Sequence, residues 1–271
     1  MSKMKNENLR SAIVLCGGES RRMGEDKGSL IINQKPMILH ILETLNNQID
    51  EAILVLNDEE RIAKYKKIIQ NNFNKDFNNE LSYKMIFLED EIKDLGPLSG
   101  IMTGLNNISS DYALVLPCDS PFINDEFINS MFDCLNNFIS KNSIKNNFKN
   151  FKNSHSKDFN FIDAIVPYQK KDSSGDIVFH QNNNDNNNFF LNNHYNNNFF
   201  LNNEDDEKKN FLLNNCEPLH SIYRKDNSKK IQKLLNSNIR DVKSFLKCIN
   251  SYFILNVHEN NFKNINSKED I

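Results

Sequence analysis

The chain has 271 residues, of which 38% are apolar, and its 33 Lys and Arg stand against 36 Asp and Glu for a net charge of -3. That balance, without a long basic block, excludes an electrostatic footprint for nucleic acid or an anionic membrane surface and points to a small-molecule partner. No apolar run approaches the roughly 18–20 residues of a membrane-spanning helix, and the N-terminal MSKMKNENLRSAIVLCGG lacks a hydrophobic signal region, so a cytoplasmic protein is expected.

The first half alternates short apolar runs with helical patterns. Strands are predicted at Ser11–Leu15 (SAIVL), Ala52–Leu56 (AILVL), Lys84–Leu88 (KMIFL) and Tyr112–Leu116 (YALVL), each nearly continuous in apolar residues, as befits strands buried on both faces. Helices are predicted between them at Pro36–Asn46, Asp58–Gln70 and Pro97–Ile108, the last opened by a proline that suits a first helical position. Strand and helix in this alternation imply right-handed crossovers and a doubly wound, mostly parallel sheet. Such sheets bind ligands beyond the carboxyl ends of their strands.

From about residue 135 to 160, and again from about 171 to 215, asparagine dominates and the periodicity collapses. The second tract repeats NNNFFLNN at Asn186–Asn193 and Asn196–Asn203, with an echo, NFLLNN, at Asn210–Asn215. A ten-residue step is too short for a solenoid, so both tracts read as long, disordered low-complexity insertions. The alternatives are that the phenylalanines pack against the domain or that the asparagine runs mediate self-association. Further strands are predicted at Phe161–Tyr168 and Ser251–Val257, and helices at Asn227–Leu235 and Arg240–Ile249. Residues 9–271 therefore form one interrupted domain. Cys16, Cys118, Cys134, Cys216 and Cys248 include no close pair, which argues for reduced, mostly buried thiols and against a thiolate metal site.

The chemistry-bearing segment is LCGGESRRMGEDKGSL, Leu15–Leu30, directly after the first strand. Gly17 and Gly18 allow a tight turn and a close ligand approach to main-chain N–H groups, and Arg21, Arg22 and Lys27 supply cations for phosphate oxygens. Neither G-x-x-x-x-G-K-[ST] nor G-x-G-x-x-G is present, so this is a different phosphate loop. Asp119, in PCDSPF, ends the fourth strand on the same sheet edge, where a carboxylate could hold a hard cation that also takes substrate phosphate oxygens. Asp90 ends the third strand in the same way. Gly100 and Gly104 would let their helix lie close to a ligand or to the sheet. His40 and His220 fall within apolar patterns and read as core histidines.

Leu15-Cys16-Gly17-Gly18, Arg22-Met23-Gly24, Asp26-Lys27 and Leu30, followed by Lys35-Pro36 and His40, resemble the signature of the molybdenum cofactor guanylyltransferase family of nucleotidyltransferases. GPLSGI, PCDSPF, EPLHSIYR and NINSKED resemble that family's later motifs, in the same order. The resemblance implies a Rossmann-like α/β fold and a Mg²⁺-dependent reaction of GTP with the molybdopterin form of molybdenum cofactor, giving the guanine dinucleotide cofactor and pyrophosphate. It implies that Leu15, Cys16, Gly17 and Gly18 hold the nucleotide and that Lys27, with Arg22, neutralises charge as pyrophosphate leaves. It further implies that Asp119 binds Mg²⁺, that Asp90 contacts the nucleotide, and that Asn264 and Asn266 lie near the pterin or the metal. GTP and molybdenum cofactor are the implied partners, with transient contact to a cofactor-delivery protein or a molybdoenzyme. A CTP-dependent cytidylyltransferase is the nearest alternative, and a non-catalytic nucleotide-binding or interaction protein is an alternative of another class.

Overall fold

The computed structural model describes residues 9–17, 26–73, 81–149 (main chain only from 142), 161–169, 199–256, Phe262 and Ile265. Eight strands form one sheet: β1 (Ser11–Leu15), β4 (Glu51–Leu56), β5 (Lys84–Glu89), β6 (Tyr112–Pro117), β7 (Ala164–Tyr168), β8 (Phe199–Phe200), β9 (Ile222–Arg224) and β10 (Ser251–Leu255). Their spatial order is β5-β4-β1-β6-β9-β7-β10-β8. Only β9 and β8 run antiparallel to their neighbours, so the expected mostly parallel sheet is present. A separate hairpin pairs β2 (Ile31–Ile32) with β3 (Lys35–Pro36) through Asn33 and Gln34, both left-handed, at φ 48° and 67°. Two positive φ values are what a type I′ turn demands, and asparagine tolerates them well.

Helices cover both faces, which is why the parallel strands can be apolar throughout. On one side α1 (Met37–Thr44), α2 (Glu59–Phe73) and α4 (Asp125–Lys149) pack on Ala12, Val14, Leu54 and Leu116. On the other, α3 (Pro97–Asn107), α5 (Asp206–Asn215), α6 (Asn227–Asn236) and α7 (Val242–Lys247) pack on the alternate residues Ile13, Ile53, Val115 and Val166. The period-two alternation of each strand thus feeds two separate cores. Gly104 and Gly100 settle one open choice: a Cβ at Gly104 would fall 2.6 Å from Ile13, and one at Gly100 3.0 Å from Leu15, so these glycines bring α3 down onto β1. Among the described residues no helix is long and apolar enough to cross a membrane.

Both tract boundaries need correction. Residues 135–149 continue α4, whose buried Phe127, Ile128, Met131, Phe132 and Leu135 follow helical spacing behind an Asn124 side chain that accepts from Phe127 N at 2.9 Å. In the second tract, residues 199–215 belong to the fold. The second octapeptide copy forms β8, with Phe199 opposite Phe253 and Phe200 opposite Tyr252, and its Leu201 is buried. Phe200 and Tyr252 rings lie 4.8 Å apart, and Lys208 Nζ sits 3.2 Å over the Phe199 ring. The echo NFLLNN ends α5 and buries Leu212 and Leu213. Asparagine dilutes the local average, but the few apolar residues are spaced to reach the core. The remainder of both tracts, residues 150–160 and 171–198, lies outside the described residues. Of the cysteines, Cys16, Cys118 and Cys216 are buried, Cys134 is half-buried and Cys248 is exposed; all are free thiols.

Candidate active site

Because β5, β4, β1 and β6 are adjacent and parallel, the residues that leave their carboxyl ends line one edge. Main-chain bonds extend the ladder past the strands: Cys16 N to Val55 O at 2.9 Å, Cys118 N to Leu15 O at 3.0 Å, and Asp90 N to Leu56 O at 2.7 Å. Gly17, Asn57, Asp90 and Asp119 are brought together in this way. A methyl group on Gly17 would collide with Asn57 Oδ1. Asn57 is therefore a residue of this site, and sequence reasoning missed it. It follows its strand as Asp119 follows β6, so the strand-end rule could have found it.

Lys27 Nζ donates to Asp119 Oδ2 at 2.7 Å, and the two side chains are 27% and 15% exposed. The ion pair spans 92 residues of sequence and depends on a short 3-10 turn, Lys27–Ser29, being held in place. Tyr65 of α2, fully buried, donates from its hydroxyl to Asp26 Oδ1 at 3.0 Å, and Lys64 Nζ reaches Asp26 Oδ2 at 3.4 Å and Ser29 Oγ at 2.8 Å. Burial, followed by the nearby Cys118 and Cys16 thiols, pushes the Tyr65 phenol far above its ordinary range, so it stays a donor. Gly28 lies against the same hydroxyl, which leaves no room for a side chain. The turn that carries Lys27 is thus clamped to α2.

Asp90 is held by α3. Its Oδ1 accepts from Ser99 Oγ at 2.5 Å and Thr103 Oγ1 at 3.0 Å, and Thr103 Oγ1 also accepts from Glu91 N at 3.0 Å. Burial raises the Asp90 carboxyl above its ordinary value, against the opposing effect of those hydroxyl bonds. A carboxyl whose folded pKa is raised holds its proton more tightly folded than unfolded. Stability is then full below the unfolded value and declines as pH rises through the folded one. Asp90→Asn, whose amide oxygen can still accept from Ser99 and Thr103, is accordingly expected to raise the thermal midpoint at pH 7 and to leave it unchanged near pH 3. Thermal denaturation at the two pH values checks this, and an Asn variant less stable at pH 7 would contradict it.

The buried Cys16 thiol is pushed well above its usual range, by burial first and the neighbouring Cys118 thiol second, so it is no nucleophile at neutral pH. His40 Nε2 lies 2.9 Å from Ile32 O and ties α1 to the β2–β3 hairpin, a structural role as expected. His40 is only half-buried, whereas His220 is a core residue, and its Nε2 lies 2.9 Å from Ser120 Oγ, next to Asp119. Gly18, Arg22, Asn264 and Asn266 lie outside the described residues. Ile265, between those two asparagines, donates from its main-chain N to Asp119 O at 3.0 Å.

The edge suits a divalent cation that brings most of its ligands with it. No cluster of three or more His, Cys, Asp or Glu side chains able to cage a metal exists among the described residues. Asp119 is a single carboxylate, and the Lys27 ammonium on its Oδ2 shows that the position holds positive charge. Mg²⁺ commonly takes one or two carboxylates and completes its shell with phosphate oxygens and water.

A model of the MobA-like NTP transferase domain matches residues 12–247. The chain belongs to that family. As a MobA-like protein it is a nucleotidyltransferase of the kind that serves molybdenum cofactor biosynthesis and generally uses a divalent metal ion. A probable molybdenum cofactor guanylyltransferase of Methanothermobacter thermautotrophicus is 29% identical over 267 residues, 97% of this chain and 98% of that protein. The molybdenum cofactor guanylyltransferase of Syntrophotalea carbinolica is 36% identical over 125 residues, 46% of this chain and 51% of that protein. Among solved structures, molybdopterin-guanine dinucleotide biosynthesis protein A from Archaeoglobus fulgidus superposes with a TM-score of 0.56 at 19% identity, covering 96% of this chain and 94% of that one. A 4-diphosphocytidyl-2C-methyl-D-erythritol synthase from Anaerococcus prevotii gives 0.55 at 13% identity, over 97% and 94%. At those identities the two structures speak for the MobA-like fold alone.

Proposed function

We propose that this MobA-like chain transfers GMP from GTP to the terminal phosphate of molybdopterin-type molybdenum cofactor, releasing pyrophosphate. The observation that carries the reading is the Lys27–Asp119 ion pair, 2.7 Å long, at the strand edge beside Gly17 and Asn57. It offers one cation and one carboxylate where a triphosphate and its counter-ion need them. The names of the relatives, guanylyltransferases of molybdenum cofactor, support the choice of nucleotide and acceptor.

In this reaction an oxygen of the acceptor phosphate bonds to the α-phosphorus of GTP, and the bond from that phosphorus to the bridging oxygen of pyrophosphate breaks. Two anions must approach, so the enzyme's task is orientation and charge neutralisation rather than covalent chemistry. Lys27 turns from Asp119 to the phosphates, and Arg22 supports it from the same loop. Leu15, Cys16, Gly17 and Gly18 present main-chain groups to the nucleotide, Asn57 buttresses the Gly17 turn, and Asp90 faces the nucleotide from the next strand. Asp119, released from Lys27, would hold Mg²⁺. Mg²⁺, when bound, supplies charge stabilisation at the phosphate oxygens. Asn264 and Asn266 serve the acceptor or metal side, a role supported by the Ile265 bond to Asp119 O.

The test is pyrophosphate release by the purified protein, anaerobically, with molybdenum cofactor and either GTP or CTP. Mg²⁺-dependent release with GTP and not CTP is expected. Release with CTP alone would move the activity to cytidylyl transfer, and none with either nucleotide would overturn the proposal.

A further inference from the structure

We infer that His220 is a positioning residue for Asp119, acting through Ser120, and that it sets how tightly the site holds its divalent ion; the inference rests on the site proposed above. Three consecutive residues after β6 are each held by a different part of the chain. Cys118 N donates to Leu15 O of β1 at 3.0 Å. The carbonyl of Asp119 accepts from Ile265 N at 3.0 Å. The hydroxyl of Ser120 lies 2.9 Å from His220 Nε2, across 100 residues of sequence. Asp119 therefore sits between two clamps, one on its own carbonyl and one on the next side chain.

His220 is itself firmly seated. It closes the 3-10 turn Pro218–His220, its N–H donates to Glu217 O at 3.0 Å, and the following Ser221 O accepts from Val115 N of β6 at 2.9 Å. Its ring lies 4.8 Å from that of Phe262, which in turn meets Phe127 of α4 edge-on at 5.4 Å. The ring is 1% exposed, yet Nδ1 has no hydrogen-bond partner among the described residues, and the Glu217 carboxylate stands 3.9 Å away. That carboxylate favours the tautomer with the proton on Nδ1, which leaves Nε2 to accept from the Ser120 hydroxyl.

A buried polar side chain with half of its hydrogen-bonding capacity unused calls for an explanation. Packing is not one, because leucine or phenylalanine would fill the space between Phe262 and β6 without burying an orphan nitrogen. Among the described residues, the one hydrogen bond that the His220 ring makes is to Ser120. Groups one step behind a metal ligand fix its orientation, and their loss typically lowers metal affinity by about 10- to 100-fold. His220 occupies that position with respect to Asp119.

The experiment measures Mn²⁺ binding by electron paramagnetic resonance, with GTP present, for the wild-type chain, His220→Leu, Ser120→Ala, the double variant and His220→Gln. His220→Leu and Ser120→Ala are each expected to raise the Mn²⁺ dissociation constant by about 10-fold. The double variant should lose no more than either single one, and His220→Gln should recover part of the loss. GTP binding without metal should change by less than about twofold, since neither side chain is assigned to the nucleotide. A folded His220→Leu or Ser120→Ala variant with a lower thermal midpoint but an unchanged Mn²⁺ constant would reduce His220 to a packing residue and overturn the inference. So would additive losses in the double variant. A wild-type chain that binds no Mn²⁺ with GTP would overturn the site reading and this inference together.

Discussion

Lys27→Ala is expected to lower pyrophosphate release by at least ~10²–10³-fold, the usual consequence of removing one preorganised group that faces developing negative charge. A second effect distinguishes this variant from a general loss of structure. Lys27 Nζ rests 2.7 Å from Asp119 Oδ2, so a divalent ion must compete with an ammonium for the same oxygen. Removal of the ammonium ends that competition. Mn²⁺ without nucleotide should therefore bind the variant more tightly than the wild type, by roughly 3- to 10-fold once solvent screening of a pair this exposed is allowed for. Turnover and metal affinity would move in opposite directions. Calorimetric titration with Mn²⁺ and a pyrophosphate assay on the same preparation check both, and turnover retained within about tenfold would remove Lys27 from the chemistry.

Asp119→Asn is expected to match that loss of turnover, on the order of 10²–10³-fold, while moving metal affinity the other way. The amide keeps the shape of the carboxylate and the Ile265 bond to the main-chain carbonyl, so the strand end has no reason to shift. Without its charge, position 119 attracts both the Lys27 ammonium and a divalent ion more weakly. Mn²⁺ affinity should fall below wild type with and without GTP, and added metal should restore part of the rate. If Lys27→Ala and Asp119→Asn changed Mn²⁺ binding in the same direction, the exchange of partners at this oxygen would be wrong.

The four parallel strands β1, β4, β5 and β6 were legible because each is a short apolar run between polar helices, and burial on both faces leaves that signature undisturbed. Asp90 and Asp119 followed from the rule that such sheets bind at their carboxyl ends. Asn57 obeys the same rule but carries no charge to draw attention, and only its contact with Gly17 revealed it. The helix Asp125–Lys149 was hidden by attention to asparagine content, although Phe127, Ile128, Met131, Phe132 and Leu135 keep helical spacing. Phe199 and Phe200 were hidden by their surroundings in a repeat, because two residues are too few to show a strand period. The tie between His220 and Ser120 joins positions 100 residues apart, and no local pattern encodes such a pair.

The strand recruited from the repeat lies at the far end of the sheet. Between β8 and β6, the nearest strand that carries a residue of the site, stand β10, β7 and β9. A change of side chain on β8 therefore reaches the Gly17 and Asp119 edge only across three intervening strands. Effects of sites that far apart and without shared partners usually add within about 0.3–0.5 kcal/mol. Phe199 and Phe200 can thus be selected for folding alone, and a change at either should move stability while leaving the Gly17 and Asp119 edge as it is.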